Sequence, residues 1–521
     1  MGPGKKQPMR NRALHVLIVV FLLTVSLSLH LIGVTLAWRG PLDSIGSWHS
    51  HCADSLLKYG VIPTRLSYVY SAGDVPADDL KLRLTHPMFI VSWLTPFRAV
   101  LGSGEWSSRL GAVFLSMTLV VFIYLISRLV LDEKKSLIAL AFASLLPMEA
   151  YWGRLPTEQL AAVTLMTISA FFYLSFILKN KKRYVALFFL FHFLSITADW
   201  IAYFLPISLI IFETIAGRKK YAVPLTSFFL NFVYFGLFIL HGYLVGGYDT
   251  IHLLFSKSLN RSIMGVNAPG ADPFSIPLKI GLYFTIPLCI AGLVWLYRVI
   301  RQRRDIDSKD ASPATIAMYL PLLFLFIAAF WILSFMNYVS IHDVALHILS
   351  PFFVLAAAVL LSRIKERRRL RLWVSLIIVL MALQLAFVLS LRYSEQKGYP
   401  VDYPVAVSME SVTEYHDHII THINLIHYYY QFYCDRDLKT GINDIDQFRS
   451  LISRGDYTKY VALDIGSFSA ATPDISDNLE EFTTQNQLKI DPGLLDYLTE
   501  HYPSERRSFF LVFDLARETI N

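Results

Sequence analysis

The chain has 521 residues, 55% of them hydrophobic and only 17% charged, with a mean hydropathy of +0.47. A soluble domain is nearer 45–50% apolar and about 25% charged, so the composition excludes an ordinary soluble protein and points to a polytopic membrane protein. The formal net charge of +7 is no sign of a nucleic-acid partner, because the basic residues cluster beside apolar runs and set their orientation.

The apolar residues come in runs of roughly 17–25, the length that crosses about 30 Å of hydrocarbon. The first run covers 13–37 and follows Lys5, Lys6, Arg10 and Arg12, which places the N-terminus in the cytoplasm. It is long and ends in no small-residue cleavage site, so it reads as an uncleaved span. Residues 38–107 then form a long outer loop. Within it, 44–59 predict a short surface helix stopped by Gly60, and 86–101 are apolar enough to lie in the membrane interface. Span two (108–131) ends at Arg128 and the turn from Asp132 to Lys135, inside. Span three (136–152) returns outward, and span four starts near Pro156 and Glu158, with Pro suited to a first helical turn. Span five rises to Asp199 and Trp200, and span six falls to Arg218, Lys219 and Lys220. Span seven ends near Gly246 and Gly247, and an outer loop with Lys257 and Arg261 follows. Span eight descends to Arg301, Arg303 and Arg304. Span nine ascends to Asn337, and Ile341, His342 and Asp343 make a short outer turn. Span ten descends to the basic stretch from Arg363 to Arg371, and span eleven (373–391) exits outward. Every predicted inner turn is rich in Lys or Arg over about eleven spans, which argues for an integral plasma (inner) membrane protein with a cytoplasmic N-terminus.

Residues 392–521 have the composition of a globular domain. VAVSM (405–409), YVALDI (460–465) and FFLVFDL (509–515) read as buried strands with helices between them. The expected fold class is therefore mainly α: a membrane helix bundle over 1–391, with a C-terminal extracytoplasmic α/β domain over 392–521. Three cysteines, Cys52, Cys289 and Cys434, make no disulfide framework, although Cys52 and Cys434 share the outer side and one bridge stays open.

This topology sorts the polar residues. Asp43, His49, His51, His86, Glu105, Arg109, Glu149, Arg154, Glu158, Asp199, His342 and Asp343 all fall at outer ends of spans or in outer loops. Ionisable groups at the membrane boundary are costly if turned to lipid, which makes them functional candidates; the plain alternative for each is contact with headgroups and water. Asp43, soon after a span, could take a proton from an acceptor hydroxyl, or could be a loop acid in a Pro-Leu turn. Glu158 opens a helix, where a carboxylate also favours the dipole. Arg109 and Arg154 could grip a phosphate bidentately, Lys257 and Arg261 less specifically. His49 and His51 are two apart and share no helical face, so they predict no metal site. A divalent cation on Asp43, Glu158 or His86 stays open. The triplet Asn260-Arg261-Ser262 matches a glycosylation sequon, a pattern that arises often by chance. The chain has no Walker A motif, no Gly-rich dinucleotide loop after a strand and no HExxH, so nucleotide-driven transport and zinc proteolysis have no support.

A long outer loop with an early Asp43, then Ala53-x-x-Leu56-Leu57-x-x-Gly60, then His86-Pro87, then the run from Gly104 to Leu110, resembles the GT-C glycosyltransferases. The similarity is to the branch of protein O-mannosyltransferases and the lipid A aminoarabinose transferase. Gly153-Arg154-x-x-x-Glu158 is similar to the second acidic loop of that branch, and Asp199-Trp200 and His342-Asp343 resemble its recurring outer turns. Ser44 follows Asp43 where the branch has Glu, Asp54 stands where Arg is usual, and His-Pro-Met replaces His-Pro-Pro. The resemblance covers 13–391. It implies a polyprenyl-phosphate sugar as donor, a glycan, lipid or protein acceptor on the outer face, and inversion at the sugar carbon. It implies Asp43 as general base with Glu158 as helper or alternative, Arg154 and His342 on the departing phosphate, and His86, Arg109, Asp199 and Asp343 around the substrate. The rival reading is a transporter or flippase for a lipid-linked saccharide; transporters usually show internal repeats, and none is seen here. A third, a membrane anchor displaying the outer domain, needs only one span.

Overall fold

A computed structural model describes residues 9–38, 42–262, 271–302, 313–398, 402–423, 431–453, 457–463, 490–508 and 510–516. The chain forms two compact units. One comprises Met1–Thr35 and Leu84–Leu391, the other Leu36–Arg83 and Arg392–Asn521.

The first unit is a bundle of helices. Among the described residues seven helices are long and apolar enough to cross a membrane, and a bent pair, Ser275–Phe284 with Ile286–Arg301, makes an eighth crossing if counted as one. The other expected crossings are shorter. Span three is Glu133–Ser144, broken from Pro147–Trp152 because Pro147 starts a new helix. Spans five and six are Lys182–Ile196 and Leu205–Ile215, of 15 and 11 residues. The Glu158–Lys179 helix begins where the sequence puts it, since the Thr157 Oγ1 accepts from the Leu160 backbone N–H at 3.2 Å.

Two breaks shape this unit. The helix Ala222–Arg261 kinks at Gly246 and Gly247, where Gly247 takes φ 63 and ψ −154, a region essentially open to Gly alone. The helix resumes after the kink, so Lys257 and Arg261 stand on a helix and not in the expected loop. At Thr285 the bent pair turns by 105°. Carbonyls freed at membrane depth need donors, and the Gln384 Nε2 supplies them, donating to Gly281 O at 2.6 Å and Leu282 O at 2.9 Å.

In the second unit, helix Asp43–Tyr59 ends at Gly60 with φ 78, as the sequence predicts. It is not a surface helix: Trp48 stacks on Tyr68 with centroids 4.5 Å apart, and Cys52 and Ala53 are buried. Residues of the long loop and the tail share this unit. The Trp38 backbone N–H donates to the Tyr433 hydroxyl at 2.7 Å, and the Gly73 N–H to Asp435 Oδ1 at 3.0 Å. A five-stranded sheet runs in the order Asp437–Lys439, His418–Thr421, Lys459–Leu463, Phe510–Asp514, Ser504–Arg507. The first three strands are parallel and the last two antiparallel to their neighbours. YVALDI and FFLVFDL supply two of the strands. VAVSM does not: it lies in helix Asp402–Val412. Val405, Met409 and Val412 face one core with Ile419 and Val461, a spacing of four and three that suits a helix face and outweighs the β-branched pair. Among the described residues Cys52, Cys289 and Cys434 form no disulfide.

Candidate active site in the membrane unit

Polar side chains of the first unit gather around the start of the Glu158–Lys179 helix. The loop carrying His86 is tied to the turn before Asp199, since the Phe89 backbone N–H donates to Thr197 O at 3.2 Å. Asp199 is fully buried. Its Oδ1 accepts from the Trp200 backbone N–H at 2.6 Å and its Oδ2 from Gln159 Nε2 at 2.7 Å. Burial, and then the neighbouring Glu158 carboxylate, push the Asp199 carboxyl up to about 7.

The final turns of the kinked helix bring in the cations. Arg261 Nη1 donates to His86 Nε2 at 2.8 Å, and its guanidinium lies 5.0 Å from the centroid of the Tyr338 ring. The His342 ring lies tilted against the same tyrosine, with centroids 4.4 Å apart. Burial and then Arg261 lower the His342 imidazole to about 4, so it is neutral near pH 7 and acts through its ring nitrogens as donor or acceptor. Its Nδ1 is buried with no hydrogen-bond partner among the described residues.

His86, Gln159, Asp199, Lys257, Arg261 and Tyr338 line one cleft with about 20 Å³ of free space, room for about one water. Beside it lies an apolar cavity of about 390 Å³ walled by Tyr203, Phe228, Phe232, Phe235 and Phe255. The two share Trp200, Leu254, Ser258 and Phe335, so a polar cleft with two cations adjoins an aromatic cavity across a common wall. That arrangement fits an amphiphile with an anionic head and an apolar chain.

The other expected residues are not among those lining this cleft. Glu158 is buried and close enough to influence Asp199 and His342. Asp343, next to His342, is held by Lys279 Nζ at 2.6 Å and by the Tyr283 hydroxyl. Arg154 donates to Ile32 O and sits 5.0 Å over the Tyr151 ring. Arg109 is fully buried near the start of Glu105–Val130. Asp43 is the first residue of its helix in the second unit and is 5% exposed. In that unit His51 Nε2 lies 2.9 Å from Ser71 O, and His49 stacks on Trp48. Among the described residues no three His, Cys, Asp or Glu side chains form a metal shell. Gln159 and Tyr338 were not singled out by the sequence; an amide beside Glu158 at the head of an apolar run was the available signal for the first.

Comparison with known proteins follows the same lines. A family model described as dolichyl-phosphate-mannose-protein mannosyltransferase matches residues 85–242. No curated protein sequence matches the chain. Among solved structures the chain is similar to ArnT from Cupriavidus metallidurans, both in the apo state and bound to undecaprenyl phosphate. Each has 13% identity and a TM-score of 0.60, with 95% of this chain covered against 97% and 98% of theirs. It is also similar to the Archaeoglobus fulgidus oligosaccharyltransferase in the apo form, with 11% identity and a TM-score of 0.52. That match covers 94% of this chain and 73% of the other.

Proposed function

We propose, from the premise that this chain is a membrane protein of the GT-C glycosyltransferase fold, that it moves a sugar from a polyprenyl-phosphate donor to an acceptor hydroxyl on the non-cytoplasmic face. The observation that carries this reading is the pair Lys257 and Arg261 in a cleft that shares a wall with an aromatic cavity. The prenyl chain would lie against Phe228, Phe232 and Phe235, and its phosphate would meet the two cations. The ArnT structure bound to undecaprenyl phosphate supports a donor of that class.

In the reaction the acceptor oxygen attacks the anomeric carbon from the side opposite the phosphate. The new carbon–oxygen bond forms as the bond to the phosphate oxygen breaks, which inverts the centre. The acceptor proton goes to a carboxylate, and the electron pair leaves with the polyprenyl phosphate. Arg261 and Lys257 neutralise the charge that develops there, where a cation in a water-poor site is worth most. Asp199, His86 and His342 hold sugar hydroxyls in this reading. Two carboxylates are candidates for the base, Asp43 in the second unit and Glu158 in the first.

Purified protein in proteoliposomes, given radiolabelled polyprenyl-phosphate sugars, tests the proposal by donor consumption. Arg261→Gln is expected to lower kcat by about 10²-fold, the usual scale for losing one transition-state donor. Unchanged turnover in that variant, or donor that crosses the bilayer intact, would overturn the reading, the second in favour of a flippase.

A further inference from the structure

A trench of about 660 Å³ runs between the Ile286–Gln302, Leu349–Ser362 and Arg367–Gly398 helices, away from the residues of the cleft. Ile286, Ile290, Val294 and Arg298 line it at every fourth position of one helix. Such residues share a helical face, so three aliphatic side chains lead to one cation. Twelve residues at about 1.5 Å each make roughly 18 Å, somewhat more than half of the about 30 Å hydrocarbon core. The trench therefore spans one leaflet. At its deep end Gln384 is occupied by the Gly281 and Leu282 carbonyls, so the interior offers no free polar group from that side chain. Trp373 is in the lining together with Arg298, and an indole is at home at the depth of lipid headgroups. Arg298 is exposed and makes no hydrogen bond or ion pair among the described residues. The chain beside the Arg298 end is strongly basic, with Arg301, Arg363, Lys365, Arg367, Arg368 and Arg369.

We infer that this trench holds one acyl chain of an anionic phospholipid from the leaflet on the basic side, with the lipid phosphate on Arg298. The occupant follows from charge and length together: the lining has one cation and no acid, and the apolar stretch is one leaflet deep. A zwitterionic lipid brings its own cation to the same place and loses the advantage. This inference does not rest on the proposed transfer reaction, because none of the trench residues belongs to the cleft.

Native mass spectrometry of the full chain, after exchange into mixed dioleoylphosphatidylglycerol and dioleoylphosphatidylcholine, reads the bound lipid directly. Retention of one phosphatidylglycerol with a roughly fivefold preference is expected, the scale of one basic residue near an anionic surface. Arg298→Gln is expected to bring the two lipids to parity, and Arg301→Gln, outside the lining, to leave the preference intact. Ala291→Phe fills the trench and should abolish retention; Arg298, being exposed, gives a variant that does not depend on repacking. No retained lipid, equal retention in the unaltered protein, or an unchanged preference in Arg298→Gln would overturn the inference. Displacement of the lipid by added undecaprenyl phosphate would also overturn it, and would mark the trench as a prenyl-phosphate site.

Discussion

At the scale of single residues the carboxylates carry the sharpest expectations. If Asp43 takes the acceptor proton, Asp43→Asn should lower turnover by about 10²–10⁴-fold, the range for a lost general base, while Glu158→Gln should lower it less. The opposite ranking in a membrane transfer assay assigns the base to Glu158. Asp199 offers a pH test. Its carboxyl is pushed up to about 7 by burial and by Glu158, so the folded chain binds this proton more tightly than the unfolded chain does. The stability it contributes is complete below the ordinary value of 3.8 and is lost as pH rises through about 7. Its ionised form is the better acceptor for sugar hydroxyls, so donor kcat/KM should rise through pH 7. Asp199→Asn should flatten that limb; a rise that persists in the variant places the titration elsewhere. His342 and Arg154 both read as phosphate ligands from sequence, and their settings differ: burial and Arg261 lower the His342 imidazole to about 4, and Arg154 donates to the Ile32 carbonyl.

At the scale of elements, the break at Gly246 and Gly247 decides what the cations can reach. A helix carries side chains only along its axis, and a straight continuation would take Lys257 and Arg261 roughly 15–20 Å beyond the kink. The bend allows Arg261 to meet His86. A Cβ at Gly247 would meet nothing within 4 Å, yet φ is +63 with ψ −154, so the cost of Gly247→Ala is backbone strain alone, about 1–3 kcal/mol. The expected result is a lower thermal unfolding temperature and a raised KM for the lipid donor. A variant with normal KM would show that the kink does not position the cations. The two glycines were visible in the sequence as an interruption. That the helix continued after them was not, because Pro and Gly near residues 269–273 read as loop and the apolar period after the kink is short.

At the scale of the whole molecule, the pattern of Lys and Arg at alternate span ends predicts sidedness. A cysteine placed at Lys365, in the basic turn before helix Arg367–Gly398, should react with an impermeant thiol reagent only from the cytoplasmic side. One placed at Thr499, beyond that helix in the tail, should react only from the other side. Cys52 and Cys434 are buried and Cys289 is half-buried, so the unaltered protein is labelled in parallel to set the background. Labelling of both positions from one side would undo the alternation on which the topology rests.

The sequence by itself determined the membrane class, the helical bundle, the long first loop and the α/β tail, because hydropathy and charge at span ends are additive along the chain and need no knowledge of neighbours. It also singled out His86, Glu158, Asp199 and His342, among other polar residues at span ends, as candidates for one site. Only the tertiary structure decided which cations face the cleft, that Gln159 and Tyr338 complete it, that VAVSM is helical, and that residues 36–83 fold with the tail. Those outcomes depend on which surfaces pack together: a buried polar group must find a partner through space, and spacing along the chain does not say which partner that is.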